Sequence, residues 1–418
     1  MKGALRRVNS RTLEALQRVT PKSPHAVVYG SPPDEGNAVE VVRGLSRRYR
    51  GDIYWFVDSD LRARVGEIPP NVHVIFKRSP VAMARYLSAE IVFFTHGLYG
   101  DAMPSPRQSF VNLWHGDGIK VEVDRATTRR PMHPSHFLVG GTTVLARRKA
   151  HTFRVPEGGL IMTGNPRVDQ FSRGVPDGFW DDVGIDPSHP FVLWLPTFRT
   201  TRGYGATGGW SDVGSDERDV NLCMAVVADR LRAAGLQVLV KPHPRDAQPR
   251  FIPGTRLVSN SDLARLSTTL YAVLGQSAGL ITDYSSVWTD YLLLDRPIGF
   301  VMPDAEAYAK GRGVFPADVL DWLPGRDLSS AAEVEAFASE VQGRAQSTAS
   351  LRHRTAERLG LVRCATATDD LLDELDRRGA FMVSRTLLPR SGEAPISSPT
   401  VDAGRPPGDI YHARSHAG

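Results

Sequence analysis

The feature of the sequence that most constrains the fold is the alternation of short apolar runs with amphipathic helical patterns. Apolar runs of this length, bounded by turn residues, are typical of buried strands. Strands that alternate with helices predict a parallel sheet with helices on both faces. The strands predicted in the first series are His25–Tyr29, Ile53–Val57, His73–Phe76, Ile91–Thr95, Phe110–Trp114, Phe137–Val139 and Leu160–Thr163, and the helices are Ala38–Tyr49 and Pro80–Ala89.

A second series of the same kind follows residues 174–190, which are rich in Gly, Pro and Asp and are typical of an interdomain linker. The sequence therefore predicts two Rossmann-like domains that face a cleft, with ligands bound at the carboxyl ends of the strands. The strands predicted in this series are Phe191–Leu195, Gln237–Val240, Arg256–Val258, Gly279–Thr282 and Ile298–Val301, and the helices are Val220–Ala234, Ser261–Val273, Ser285–Leu294, Ala331–Val341 and Ala367–Arg378.

The length of 418 residues suits two domains of ordinary size. We expect a basic amphipathic segment at 1–22, a first Rossmann-like domain at 23–175, a second at 176–385 and a tail at 386–418. The tail has repeated Pro, Gly and Ser with no apolar period, which predicts disorder.

The two cysteines lie far apart, so the sequence predicts neither a disulfide framework nor a zinc cluster and favours a reducing compartment. No apolar run reaches the roughly 18–20 residues that span a bilayer. The first thirty residues also lack the apolar core of a signal peptide. The expected location is the cytoplasm.

The formal net charge is +5, and most of the 51 basic residues are arginine. Because no basic element is interleaved with glycines or aromatic residues, nucleic acid is not expected as a partner. Phosphorylated substrates or an anionic membrane surface explain the sign of the charge equally well. A helical pattern in residues 1–20 has a basic face, and it fits either a helix lying on anionic lipid or a terminal helix packed on its own domain.

Five segments that carry candidate chemistry each follow a predicted strand. In the first, which ends at Lys120, glycines flank a tight turn after Trp114 and His115. An imidazole at this place would accept a proton from an alcohol, or it is a loop histidine held by backbone bonds.

The second segment contains Gly164, Arg167 and Asp169, and it fits either a phosphate-binding fork or a plain turn with an ion pair.

The third segment contains Thr197 and Arg199, which would hold a diphosphate, and a glycine-rich loop follows it. In the fourth, prolines fix the backbone around His243, next to Lys241, at the end of a strand. The protonated imidazole would neutralise a departing phosphate, or the segment is a rigid turn with an incidental histidine.

The fifth segment, Thr282–Asp290, is the most informative of the five. A strand runs into a helix through two hydroxyl residues, Ser285 and Ser286, which predicts a helix cap and an anion site at the helix N-terminus. Asp290, about one turn into the helix, would accept hydrogen bonds from ribose or glycerol hydroxyls. Capping alone does not explain Asp283 and Tyr284.

In this order and spacing the five segments resemble the CDP-glycerol glycerophosphotransferase family, which builds teichoic acids. The family pattern runs W-H-G-T-P-x-K, G-Y-P-R-x-D, P-T-F-R-D, H-P and T-D-Y-S-S-x-x-x-D. The resemblance covers roughly residues 90–301. The chain departs from the pattern at Asp117 and Gly118, at Asn165 and at Thr200, so the acceptor or the polyol of the donor is expected to differ.

The resemblance implies a GT-B type fold and transfer of glycerol phosphate, or a related polyol phosphate, from CDP-glycerol with release of CMP. The acceptor would be a hydroxyl of a wall or capsular polymer or of its lipid-linked precursor, reached from the inner face of the cell membrane. The first domain would hold the acceptor and the second the nucleotide, with His115 as general base and His243 as the group that compensates charge. No metal or other cofactor is expected. The implied substrate-binding residues are Gly116, Lys120, Gly164, Arg167, Asp169, Thr197, Arg199, Lys241, Thr282, Asp283, Tyr284, Ser285, Ser286 and Asp290.

Two alternatives stay open. A GT-B glycosyltransferase would share the fold and the phosphate-binding helix but would transfer a sugar and release a nucleoside diphosphate. A non-catalytic member of the fold would need neither His115 nor His243.

Overall fold

The computed structural model of the chain describes residues 10–32, 35–58, 68–121, 132–197, 217–243, 252–311, 313–384 and 387–390. Two parallel sheets dominate these ranges, as the sequence predicts. Most of the expected tail and the first nine residues of the basic segment lie outside the described residues.

The first sheet has seven strands in the spatial order β3-β2-β1-β4-β5-β6-β7. Ala26 of the interior strand β1 is in register with Ile53 on one side and with Ile91 on the other, and all three are fully buried. The elements of this half are α1 (Ser10–Val19), β1 (Ser23–Tyr29), α2 (Gly36–Arg48), β2 (Asp52–Val57), β3 (Val72–Phe76), α3 (Pro80–Ser88), β4 (Ala89–Phe94), β5 (Ser109–Asn112), β6 (Phe137–Val139), α4 (Thr143–Phe153) and β7 (Leu160–Ile161).

A 3-10 helix, Pro166–Ser172, and the short α5 (Phe179–Val183) lead to the second sheet. This sheet has six strands in the order β10-β9-β8-β11-β12-β13. Its strands and helices are β8 (Phe191–Trp194), α6 (Glu217–Ala233), β9 (Gln237–Val240), β10 (Arg256–Leu257), α7 (Asn260–Arg265), α8 (Leu270–Gln276), β11 (Gly279–Thr282), α9 (Val287–Tyr291), β12 (Ile298–Phe300), α10 (Ala305–Gly311), β13 (Arg326–Asp327), α11 (Ala331–Val341), α12 (Ala349–Leu359) and α13 (Ala367–Arg377).

The segment expected to be a linker is partly built into the core. Phe179 of α5 is fully buried in the apolar cluster beneath the second sheet. The same cluster contains Ile119, Leu145 and Val168 from the first half. The two halves are therefore joined by a continuous apolar contact, because burial of these side chains removes them from water.

The last helix corrects the expected domain boundary, which placed residues up to 385 in the second domain. Leu371, Leu372 and Leu375 of α13 lie in the core of the first sheet, next to Leu45 of α2. The carboxylate of Asp169 accepts hydrogen bonds from the N–H groups of Ala367 (2.7 Å) and Thr368 (2.9 Å) at the N-terminus of α13. The chain therefore returns to the first half after crossing the second.

Two predicted helices differ from the structure. The single helix expected at Ser261–Val273 is divided into α7 and α8, because Ser267 between them adopts a left-handed φ of +50°. The helix expected at Ser285–Leu294 begins later, and α9 has five residues before a 3-10 turn at Leu292–Leu294.

The N-terminal helix α1 packs one face on its own domain. Leu13 is fully buried with Ala82 and Tyr86 of α3, and Gln17 donates a hydrogen bond to the Tyr86 hydroxyl (2.8 Å). Its other face is open, because Leu16 is 40% exposed and Val19 is 73% exposed. Among the helices in the described ranges, none combines the length and the apolarity that crossing a bilayer requires.

Candidate functional site

Two histidines meet at the carboxyl edge of the first sheet. The neighbouring strands β4 and β5 run parallel, and His96 and His115 follow their ends. The two imidazole rings are stacked, with centroids 4.9 Å apart and planes within 7° of each other. The edge that should carry chemistry in a parallel sheet therefore carries a pair of imidazoles.

The turn that presents His115 is fixed from both sides. The expected strand Phe110–Trp114 ends early, at Asn112, whose side-chain oxygen accepts a hydrogen bond from the N–H of Trp114 (2.9 Å). Gly116 has a φ of +103°, and a Cβ there would lie 1.9 Å from a guanidinium nitrogen of Arg167. Glycine is therefore required at 116 both by the backbone and by close packing.

The environment of His115 favours its neutral form. His115 as a whole residue is exposed, yet its ring is packed against the rings of His96 and Trp114, and Lys149 and Arg167 lie near it. Burial, followed by the charges of His96, Lys149, Arg167 and His133, holds the pKa of His115 well below its usual value. A neutral imidazole is the form that accepts a proton.

Asp117, one of the departures from the family pattern, points into the protein. It is fully buried, and one carboxylate oxygen accepts hydrogen bonds from the N–H groups of Gly141 (2.7 Å) and Thr142 (2.6 Å) just before α4. The other oxygen forms an ion pair with Lys149, which also donates to the carbonyl of Gly116 (2.7 Å). Asp117 thus anchors the histidine turn to α4.

A buried ion pair joins the second and fifth motif segments. The guanidinium of Arg167 donates from Nε (2.9 Å) and Nη2 (2.6 Å) to one carboxylate oxygen of Asp290, which also accepts from the Tyr271 hydroxyl (2.6 Å). The other oxygen accepts from the side-chain amide of Asn165 (2.9 Å). Arg167 also donates to the carbonyl of His115 (2.9 Å), so three motif segments meet at this cluster.

These contacts change what the sequence suggested for the second and fifth segments. Arg167 pairs with Asp290, not with Asp169, which caps α13. Asp290 directs both oxygens at protein donors, where the sequence suggested ribose or glycerol hydroxyls. Gly164 has a φ of +88°, and a Cβ there would lie 2.8 Å from Sγ of Cys364. The segments are thus built into the contact between the halves.

The carboxyl edge of the second sheet brings together three further segments. Thr197 follows β8, Lys241 and His243 follow β9, and Asp283 follows β11, and these three strands are neighbours. Asp283 is buried, and its carboxylate accepts hydrogen bonds from the N–H (3.0 Å) and the hydroxyl (3.0 Å) of Thr197. Arg199 lies outside the described residues.

The helix cap expected at the serines is not formed. Ser286 occupies the cap position of α9 with helical backbone angles, and its side chain makes no capping hydrogen bond. Ser285 accepts only a long contact, 3.5 Å, from the N–H of Val287. Because α9 has five residues, it offers little of the dipole that a long helix would direct at an anion. Ser286 instead faces the histidine turn, where a Cβ on Gly118 would approach it to 3.1 Å.

The remaining predicted residues support the second half or bridge to it. Thr282 donates from its hydroxyl to the carbonyl of Leu195 (2.8 Å). Tyr284 donates to Asp304 (2.9 Å) and stacks on Tyr308 at 3.6 Å. Lys120 lies 5.8 Å from the centre of the Tyr308 ring, and its backbone forms an antiparallel bridge with Val314.

A cavity of about 230 Å³ lies between the halves. Arg167 and Lys241 line it together with Glu35, the cap residue of α2, and Tyr271. Burial raises the pKa of Glu35 to about 7, although Arg167 (3.7 Å away) and two backbone N–H groups oppose this effect. Within the described ranges, no group of three or more His, Cys, Asp or Glu side chains is arranged to hold a metal ion.

Sequence reasoning missed Glu35 and His96. Glu35 directly precedes the helical pattern of α2, which is the position of a cap residue, although glutamate is not a preferred cap. His96 had a clearer signal, since Thr95-His96-Gly97 follows a predicted strand in the same way as Trp114-His115-Gly116.

Residues 12–369 match the model of the family described as CDP-Glycerol:Poly(glycerophosphate) glycerophosphotransferase. The chain belongs to this family. The resemblance seen in the sequence is therefore confirmed.

Two curated relatives from Bacillus spizizenii (strain ATCC 23059 / NRRL B-14472 / W23) are similar to this chain over part of their length. One is a teichoic acid ribitol-phosphate primase, 25% identical over 60% of this chain and 65% of the relative. The other is a teichoic acid poly(ribitol-phosphate) polymerase, 23% identical over 67% of this chain and 45% of the relative. The chain thus spans less than two thirds of either relative.

Solved structures confirm the fold. A histidine variant of the wall teichoic acid polymerase TagF superposes with a TM-score of 0.66 at 17% identity, covering 88% of this chain and 93% of that one. A putative UDP-N-acetylglucosamine 2-epimerase from Listeria monocytogenes gives a TM-score of 0.52 at 12% identity, covering 85% and 96%. The fold is the expected arrangement of two Rossmann-like halves of the GT-B type.

The Arg167–Asp290 pair gives a first prediction. Asp290→Asn leaves a buried guanidinium without its main counter-charge, and we expect a loss of about 3–5 kcal/mol in unfolding free energy. Urea denaturation followed by tryptophan fluorescence measures it. Asp327→Asn, at an exposed position of β13, is the matched control and should change stability by less than about 0.5 kcal/mol. Equal stability of the two variants would contradict a central role for the pair.

Proposed function

We propose that the protein transfers a polyol phosphate from a CDP-activated polyol to a hydroxyl of a teichoic acid-type polymer or of its lipid-linked precursor. The observation that carries the proposal is the cluster around Arg167, which bonds both to the carbonyl of His115 in the histidine turn and to Asp290, 123 residues after Arg167 in the sequence. Family membership supplies the reaction class. The names of the curated relatives support the polymer class.

In the proposed reaction an acceptor hydroxyl attacks the phosphorus that bears the polyol. A new oxygen–phosphorus bond forms, the bond to CMP breaks, and the hydroxyl proton passes to His115. Such a displacement depends on positioning and on compensation of charge at the phosphates. His115 serves as base because its low pKa keeps the ring neutral.

The second half would hold the nucleotide. Lys241, nearly buried at the end of β9 and on the wall of the cavity, supplies positive charge next to His243. Thr197, Arg199 and the serines at 285 and 286 remain proposed donor contacts. Charge supplied by Lys241 and a protonated His243 would stabilise the departing CMP phosphate.

The polyol is glycerol or ribitol in this proposal. The family description names CDP-glycerol, whereas both curated relatives are named for ribitol phosphate. Asn165 and Asp117 depart from the family pattern, but their side chains bond within the protein and therefore do not choose between the two polyols. The choice is made by direct measurement.

A donor panel tests the function. CDP-glycerol, CDP-ribitol, a UDP-sugar and a GDP-sugar are compared by thermal shift and then by nucleotide release with a lipid-linked acceptor. We expect one CDP-polyol to raise the melting temperature and to release CMP. Release of UDP or GDP from a sugar donor would replace the proposal with glycosyl transfer, and failure of all four to bind would support a non-catalytic protein.

His115→Ala should abolish transfer and leave donor binding within a few fold. Loss of a general base costs about 10²–10⁴ in rate. Because the pKa of His115 is lowered, kcat/KM of the native protein should stay level through pH 6.5 and fall only at lower pH, where the ring gains its proton. His151→Ala, at an exposed position of α4, is the control. Near-native turnover of His115→Ala would remove this residue from the mechanism.

We also propose reversible contact between α1 and an anionic membrane, because the proposed acceptor is lipid-linked. The open face of α1 presents Leu16 and Val19, and Arg11 and Arg18 of the same helix are also exposed. Each basic residue near an anionic surface contributes about 1 kcal/mol, and salt screens the attraction.

Sedimentation with phosphatidylglycerol vesicles measures this contact. We expect the protein to pellet with the vesicles at low salt, and the pelleted fraction to fall as salt rises. The double variant Leu16→Gln plus Val19→Gln should lose at least half of the pelleted fraction. Val226→Gln, at a half-exposed position of α6, is the matched control. Native-like pelleting of the double variant, or no pelleting of the native chain at low salt, would contradict the proposal.

A further inference from the structure

We propose that His96 is a positioning residue that holds the ring of His115 in place by stacking and keeps it ready to accept a proton. The inference rests on the proposed role of His115 as base. His96 lies outside the five motif segments, and its ring stacks on that of His115.

The first argument is the geometry of the stack. The two imidazole rings lie parallel with their centroids 4.9 Å apart. The ring of Trp114 lies beside both, with its centroid 4.1 Å from that of His115 and 5.6 Å from that of His96. The strands that carry them are hydrogen-bonded neighbours, so the spacing between the rings is set by the sheet. A side chain packed in this way cannot turn freely.

The second argument is that His96 is itself fixed. Nδ1 of His96 lies 3.2 Å from the hydroxyl of Thr95, and that hydroxyl accepts a hydrogen bond from the N–H of Ser31 (3.1 Å). Thr95 is fully buried. A chain of hydrogen bonds therefore runs from Ser31, just after β1, through Thr95 to His96 and restrains the ring on which His115 stacks.

The third argument is electrostatic. Two imidazolium ions stacked at this distance repel each other, so protonation of one ring opposes protonation of the other. The other groups that face His115 are Lys149 of α4, Arg167 of the 3-10 helix and His133. Lys149 is paired with Asp117, and Arg167 is paired with Asp290. Among the charges around His115, His96 has the largest effect and His133 the smallest of those four.

The two contributions of His96 can be separated by substitution. His96→Phe keeps an aromatic ring in the stack and removes the charge, whereas His96→Ala removes both. His133→Phe is the matched control, since it removes another neighbouring imidazole that has a smaller effect on His115.

The test is an NMR titration of histidine-labelled protein, in which the His115 signal is assigned by its loss in His115→Gln. This measurement does not depend on catalysis, so it remains informative if the proposed reaction is wrong. We expect the pKa of His115 to rise in His96→Phe and to rise less in His133→Phe. An unchanged His115 titration in His96→Phe would overturn the electrostatic coupling.

Activity provides the second readout. In His96→Phe the acidic limb of kcat/KM should move to higher pH while the rate on the plateau stays within a few fold. In His96→Ala the limb should move in the same direction, and the plateau should fall about ten- to hundredfold because the base loses its support. A plateau that falls equally in both variants, without movement of the limb, would overturn the proposal in favour of a purely structural histidine.

Discussion

The interaction on which the rest of the site depends is the buried ion pair between Arg167 and Asp290. Removing both charges from water is costly, and the cost is offset only where every donor and acceptor is satisfied. Here Asn165, Tyr271 and the carbonyl of His115 complete the set. Because the pair tolerates little displacement, it fixes how the carboxyl edge of one sheet meets that of the other.

A second constraint follows from where the carboxylates point. Asp117, Asp169, Asp283 and Asp290 all belong to the motif segments or adjoin them, and each accepts hydrogen bonds from the protein itself. The charged side chains that line the cavity between the halves are the cations Arg43, Arg167 and Lys241 and the acid Glu35, whose pKa is raised to about 7 by burial. Such a lining suits a substrate that carries phosphate, since negative side chains at the same place would repel it.

Most of the fold could be predicted from the sequence. Apolar runs that alternate between strand and helix periods are compatible with few arrangements of strands and helices. The break at Ser267 and the short α9 could not, since tertiary packing overrides helical propensity there. For the site, the order of the motifs in the sequence identified the residues that come together. Their hydrogen-bond partners could not be predicted. Nothing in the local sequence of Asp290 or Asp169 indicates that their acceptors lie across the molecule. His96 was visible as a second His-Gly pair after a strand, but it is absent from the family pattern.

The return of α13 to the first sheet has a consequence for synthesis on the ribosome. The core of the first half includes Leu371, Leu375 and Phe381, so this half cannot close until nearly the whole described chain has emerged. The strands of the second half all lie between Phe191 and Asp327, so they emerge before α13 does. The half that is made first therefore keeps part of its apolar surface uncovered until the last helix is available.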